Sequence, residues 1–155
     1  MDGCAGGWLL ASMDQPVELF CSFGELLKAY PTKPLLVDIP MGLPDKSPRD
    51  LESQARRLLP GRPGSLFPVP CRQAVYASSY EDACKTNSLH QGKKLSKQTW
   101  NICSKIREVD QLLCTDASLQ ERVYESHPEL AFYLLSSDGT HYSKKTRNGI
   151  AERLN

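Results

Sequence analysis

The chain has 155 residues and a formal net charge of +1, enough for one domain with a single buried core. Hydrophobic residues make up 40% and charged residues 24%, which is too apolar for a disordered chain, and no run approaches the roughly 18 apolar residues of a membrane span. Asp2 stands where a signal peptide would carry positive charge, and Gly3 is one position late for a myristoylation signal, so secretion and membrane anchoring are not expected.

Taken in chain order, Trp8 to Met13 reads as a strand, Asp14-Gln15-Pro16 as a turn, and Val17 to Phe23 as the returning strand of a hairpin. Ser22 can cap a helix over 24–30 that Pro31 ends. Leu35-Leu36-Val37 is a short apolar run stopping at Asp38, as a buried central strand does. A loop follows, then Ser47 and Pro48 supply an N-cap and N1 proline for a helix reaching Leu59. Residues 62–78, rich in proline, are expected to be irregular but ordered. Residues 79–87 and 96–114 read as helices. In the second, Ile102, Ile106, Val109 and Leu113 share one face, and Lys97, Asn101, Lys105 and Glu108 share another. Arg122 to Ser126 reads as a strand, Pro128 opens a helix, and a last helix begins near Lys144. The order predicts an α/β domain in which three antiparallel strands share a mixed sheet with later parallel ones.

Six cysteines, at 4, 21, 71, 84, 103 and 114, lack C-x-x-C pairs and zinc-ligand spacing. They read as free thiols of a reducing cytoplasm. Charge is unevenly spread: residues 1–45 balance to −4, 46–107 to +8, and 108–155 to −3. An acidic frame around a basic middle suits carboxylates for a metal and cations for phosphate, although a solvated basic surface reads equally well.

Three carboxylates end strands or runs that read as strands: Asp2, Asp38 and Glu125. A charge at the end of an apolar strand is costly without a counter-charge, and adjacent strands lie roughly 4.8 Å apart. Asp2 and Asp38 can therefore share one divalent ion, with Glu125 as a third hard oxygen ligand for Mg²⁺ or Mn²⁺. Asp38 also reads as a turn or cap aspartate before Pro40, and the glycines at 3, 6 and 7 as either a phosphate cradle or a tight hairpin. His127 reads best as a hydrogen-bonded loop residue. Lys105 and Glu108 lie on one helical stripe, as an exposed salt-bridged face or a face toward a site.

Eight segments in order also resemble a known family. They are Asp-Gly-Cys-x-Gly-Gly-Trp (2–8), Val-Asp-Ile-Pro-x-Gly-Leu-Pro (37–44), Ala-Arg-Arg-Leu-Leu (55–59) and Phe-Pro-x-Pro-Cys-Arg (67–72). They continue with Leu-Ser-Lys-Gln-x-Trp-Asn-Ile (95–102), Lys-Ile-Arg-Glu-Val-Asp (105–110), Glu-Ser-His-Pro-Glu (125–129) and Ser-Lys-Lys-Thr (143–146). The family they resemble is domain of unknown function 429. The resemblance implies a ribonuclease-H-like domain over 1–155, a mixed five-stranded sheet flanked by helices, with a helical and loop insertion at about 45–120. It further implies a metal-dependent nuclease in which Asp2, Asp38 and Glu125 are catalytic. Arg56, Arg57, Arg72, Lys105, Lys144 and Lys145 would meet phosphates of a nucleic acid or nucleotide, with Glu108, Asp110 and His127 beside them. An actin-like nucleotide-binding phosphotransferase and a non-catalytic module for a phosphorylated ligand or a protein partner are the alternatives. Against the family pattern, apolar residues ahead of Asp2 and an acidic helix beyond Asn155 are missing, and Glu52 replaces an aspartate. That implies a form shortened at both ends, of low thermal stability and impaired as a catalyst.

Overall fold

A computed structural model describes residues 1–59, 66–136 and 142–154. Strands β1 (Asp2–Cys4), β2 (Gly7–Leu10) and β3 (Glu18–Phe20) form an antiparallel sheet in the order β1-β2-β3. Both strands of the second hairpin are shorter than the sequence predicts. Helix α1 (Phe23–Ala29) follows, with Ser22 accepting a hydrogen bond from the Glu25 amide as the expected cap. Strand β4 (Leu35–Val37) pairs in parallel with β5 (Val123–Glu125) as a two-stranded sheet, with Val37 opposite Glu125.

Backbone bonds at Met1 join the two ladders. Its nitrogen donates to the Leu36 carbonyl at 2.8 Å, and the Asp38 amide donates to the Met1 carbonyl at 2.9 Å. That is the bond pair of a parallel bridge between Met1 and Val37. On one side of the joined strands Trp8, Leu10, Leu35, Val37 and Val123 are buried; Leu9, Leu19, Leu36 and Tyr124 are exposed. The alternation follows from the two-residue period of a pleated strand.

The connection from β4 to β5 carries α2 (Asp50–Leu58), α3 (Arg72–Val75), α4 (Tyr80–Gln91), α5 (Lys97–Thr115) and a 3₁₀ turn at Ala117–Glu121. After β5 come α6 (Pro128–Leu135) and α7 (Arg147–Leu154). Ser79 and Ser96, which the sequence places inside the two helices, cap α4 and α5 instead. Helix α2 opens later than Ser47 and Pro48 suggest. Arg49 keeps an extended backbone while its guanidinium reaches Glu52, and it makes no side-chain cap. The loop expected over 62–78 contains the turn α3; positions 62–65 lie outside the described residues. Cys71, Ala74 and Val75 are fully buried there, and the Cys71 amide donates to Asn87 Oδ1 at 2.9 Å. Tertiary burial thus overrides a proline-rich local sequence. All six cysteines are free, and no helix among the described residues is long and apolar enough to cross a membrane.

Helix α5 is the central support. Its Ile106 and Val109 are fully buried in the cluster that includes Trp8, Phe23, Leu26 and Val37. Trp8 and Phe23 pack in a tilted pair, with ring centroids 4.9 Å apart. Glu108, on the expected polar stripe, fastens α5 to both: its carboxylate accepts from Trp8 Nε1 at 2.9 Å and from the Phe23 amide at 2.5 Å. Glu108→Ala leaves two donors on fully buried residues without a partner, so denaturant unfolding should show a loss of about 2 kcal/mol or more. Glu108→Gln, which keeps one acceptor oxygen, should lose about half as much.

Candidate functional site

The Met1–Val37 bridge sets Asp2 beside Asp38, because each is the next residue of its strand. Asp2 also pairs with exposed Leu9, Asp38 lies two residues past exposed Leu36, and both aspartates are themselves exposed. The two carboxylates line a cleft of about 380 Å³ together with His127, Glu129, Lys105 and Lys144. Partial burial raises the Asp38 carboxyl above its ordinary value; His127 and Lys144 oppose the rise, and the neighbouring Asp2 charge adds to it. The ion-sharing distance argument from sequence and the observed register therefore bring the same pair together.

Glu125 is placed differently. It lies opposite Val37, so the residue beside Asp38 is Ser126, whose amide donates to the Val37 carbonyl at 2.9 Å. The Glu125 carboxylate is held by Arg49, with Nη1 at 2.8 Å and Nη2 at 2.9 Å, and by the Met41 amide at 2.9 Å. Arg49 also binds Glu52 and the Met41 carbonyl. Burial alone would lower the Arg49 guanidinium, but its bonds to Glu125 and Glu52 outweigh that and hold it above its usual value. Sequence reasoning did not single out Arg49. Its signal is a cation at a helix start, where the macrodipole favours anions, three residues before Glu52.

His127 is a hydrogen-bonded residue at the cleft, as the sequence reading favours. It precedes Pro128 and caps α6, its Nδ1 accepting from the Leu130 amide at 3.3 Å. Glu129, in the same segment, is buried and meets Arg153 Nη2 at 2.7 Å and Lys144 Nζ at 3.8 Å.

Of the basic residues, Lys105 and Lys144 reach the carboxylate cleft. Gly3 makes room for Lys105: a Cβ there would sit 3.2 Å from its Cγ. The Lys105 ammonium lies 5.0 Å from the Trp8 ring centroid and 3.8 Å from Glu108 Oε2. Arg56 instead donates to the Leu66 carbonyl at 2.8 Å, and Arg57 is exposed. Lys145 is exposed and does not line the carboxylate cleft. Arg72 pairs with buried Asp110 and lies 3.3 Å from Cys114 Sγ, in a separate cleft with Gly42 and Gln120.

Tyr76 completes the Arg72–Asp110 cluster by donating to Asp110 Oδ2 at 2.8 Å. Burial first, and then that bond, push its phenol up to about 12. The folded state holds this proton more tightly than the unfolded chain, whose phenol titrates near 10. Its stabilising contribution is therefore complete below pH 10 and lost as pH rises through 12. Chemical unfolding at pH 9 and 11 should show a steeper fall for the natural protein than for Tyr76→Phe.

The donor set at the cleft suits a small, hard cation. Among the described residues no group of three or more metal-ligating side chains converges, whereas Asp2 and Asp38 lie side by side. Mg²⁺ is commonly held by one or two carboxylates while water and substrate phosphates complete its shell. Two aspartates at an open cleft with two lysines meet that requirement.

No curated protein and no solved structure matches the chain. The sequence model described as "Protein of unknown function (DUF429)" matches residues 1–155, so the chain belongs to the DUF429 family.

Proposed function

We propose that this chain is a metal-dependent phosphodiesterase of ribonuclease-H-like type, in which Asp2 and Asp38 hold Mg²⁺ or Mn²⁺ and the substrate is a nucleic acid. The observation that carries the reading is the register at Met1, which sets the two carboxylates together beside Lys105 and Lys144. The strand succession supports the fold part of the reading. Taking the Met1 bonds as the join, the order is β3-β2-β1-β4-β5, three antiparallel strands and then two parallel ones.

Asp2 and Asp38 would hold a divalent ion, which when bound would lower the pKa of a water and supply positive charge to the oxygens of a phosphodiester. Asp2 and Asp38 fix where that charge sits. Lys105 and Lys144 offer ammonium groups to the flanking non-bridging oxygens, and the contact of Lys105 with Trp8 and Glu108 limits its freedom. His127 presents a ring held by its Nδ1 contact at the helix start, at the wall of the same cleft.

End-labelled single- and double-stranded DNA and RNA, incubated with the protein and Mg²⁺ or Mn²⁺, test the reading. Cleavage that needs the ion and stops with chelator is expected. Cleavage indifferent to chelation, or none with either ion, would contradict it.

A further inference from the structure

We propose that the apolar cleft adjoining the carboxylate pair is a base pocket, which makes a single-stranded or frayed nucleotide the substrate of this site rather than an intact duplex. The inference rests on the reading of the carboxylate pair as a phosphodiester site. A second cleft of about 230 Å³ shares Asp38, Ile39, Phe67 and His127 with the carboxylate cleft, so the two adjoin along those side chains. A phosphate at Asp2 and Asp38 has its own sugar and base within reach of this neighbour.

The second cleft is a place for a flat ring. Its wall is mostly apolar, with Leu51, Ala55, Leu130 and the aromatic ring of Phe67 among its lining. One polar group stands out in that wall. Glu52 is only 7% exposed, and both of its Arg49 hydrogen bonds land on Oε1. Oε2 carries no hydrogen bond among the described residues. Every nucleobase presents an N–H donor on its pairing edge and a face that stacks on an aromatic ring. In a duplex that edge is already paired, so a base enters such a slot only when unpaired or flipped out.

Binding of adenosine and cytidine 5′-monophosphates is compared by calorimetry with binding of ribose 5-phosphate, on the full chain, with and without Mn²⁺. The nucleotides should bind at least about tenfold more tightly than the sugar phosphate. Ala55→Leu, which fills the cleft, should bring the nucleotides down to the sugar-phosphate level while leaving ribose 5-phosphate unchanged. Glu52→Gln, which adds an amide donor beside one acceptor oxygen, should weaken the nucleotides selectively and carries the test if Ala55→Leu melts early. Equal affinity for nucleotide and sugar phosphate, or a folded Ala55→Leu with unchanged nucleotide affinity, would overturn the pocket. Mn²⁺ binding without base preference overturns the pocket and leaves the metal reading standing. Base preference without Mn²⁺ binding overturns the metal reading and leaves the pocket.

Discussion

Asp38→Asn should reduce metal-dependent cleavage by at least about 100-fold while leaving the protein as stable as before or slightly more so. Loss of residues that merely orient metal ligands already costs about 10–100-fold, so loss of a ligand's charge should cost no less. The stability effect has the opposite sign because Asp38 is raised by partial burial and by the Asp2 charge beside it. The folded state holds the Asp38 proton more tightly than the unfolded chain. Stability from this group is greatest below the ordinary carboxylate range and falls as pH rises through the raised value. Asparagine keeps the shape without the charge and escapes that fall, by up to about 0.5 kcal/mol for so open a position. Added Mn²⁺ should raise the melting temperature of the natural protein and not of the variant. A variant that loses cleavage together with several degrees of melting temperature would mark Asp38 as structural instead.

Gly7→Ala is the substitution expected to damage the fold most. Gly7 has φ +138°, and a Cβ there would lie 1.9 Å from the Phe20 carbonyl oxygen and 2.9 Å from its carbon. Those atoms are backbone of β3, so they can yield only if the β2–β3 pairing opens. The next residue, Trp8, is fully buried and donates to Glu108. Strain at the backbone and displacement of this ring together should cost about 3 kcal/mol or more. In a chain of this length that is roughly 6–12 °C of melting temperature. Gly6→Ala is the control, because its Cβ would meet only Leu19 Cδ2 at an ordinary 3.7 Å. It should change stability by no more than about 0.5 kcal/mol. Equal damage from both would mean that close approach is not why Gly7 is glycine.

The two glycines show where the sequence is readable and where it stops. Asp-Gly-Cys-x-Gly-Gly-Trp signals a turn between strands, but which glycine is indispensable depends on the approach of β3, a contact between residues 7 and 20 that local pattern does not carry. The serine cap at 22 is legible because the cap and its helix are neighbours in the chain. The Asp2–Asp38 pair is legible for a different reason: Asp38 ends a short apolar run and Asp2 opens a glycine-rich one, at strand ends where a charge needs a partner. Glu125 fits the same rule and sits elsewhere, because register decides its position. Its partner in the ladder is Val37, and a shift of one residue separates it from Asp38. Glu125 finds its counter-charge in Arg49 instead. Glu108 reads from the sequence as part of a polar stripe, and both it and Asp110 as residues beside a bound phosphate. One closes over Arg72 and Tyr76, and the other fastens Trp8 and the start of α1, contacts made across 34 to 100 residues of sequence.

The most direct test of the account is Mn²⁺ binding followed by electron paramagnetic resonance on the natural protein, Asp2→Asn, Asp38→Asn and Glu125→Gln. Side-by-side carboxylates at Asp2 and Asp38 predict Mn²⁺ binding by the natural protein, weakened by at least about tenfold in either aspartate variant and retained in Glu125→Gln. Mn²⁺ affinity unchanged by both aspartate substitutions would contradict the account, wherever else the ion were found to bind.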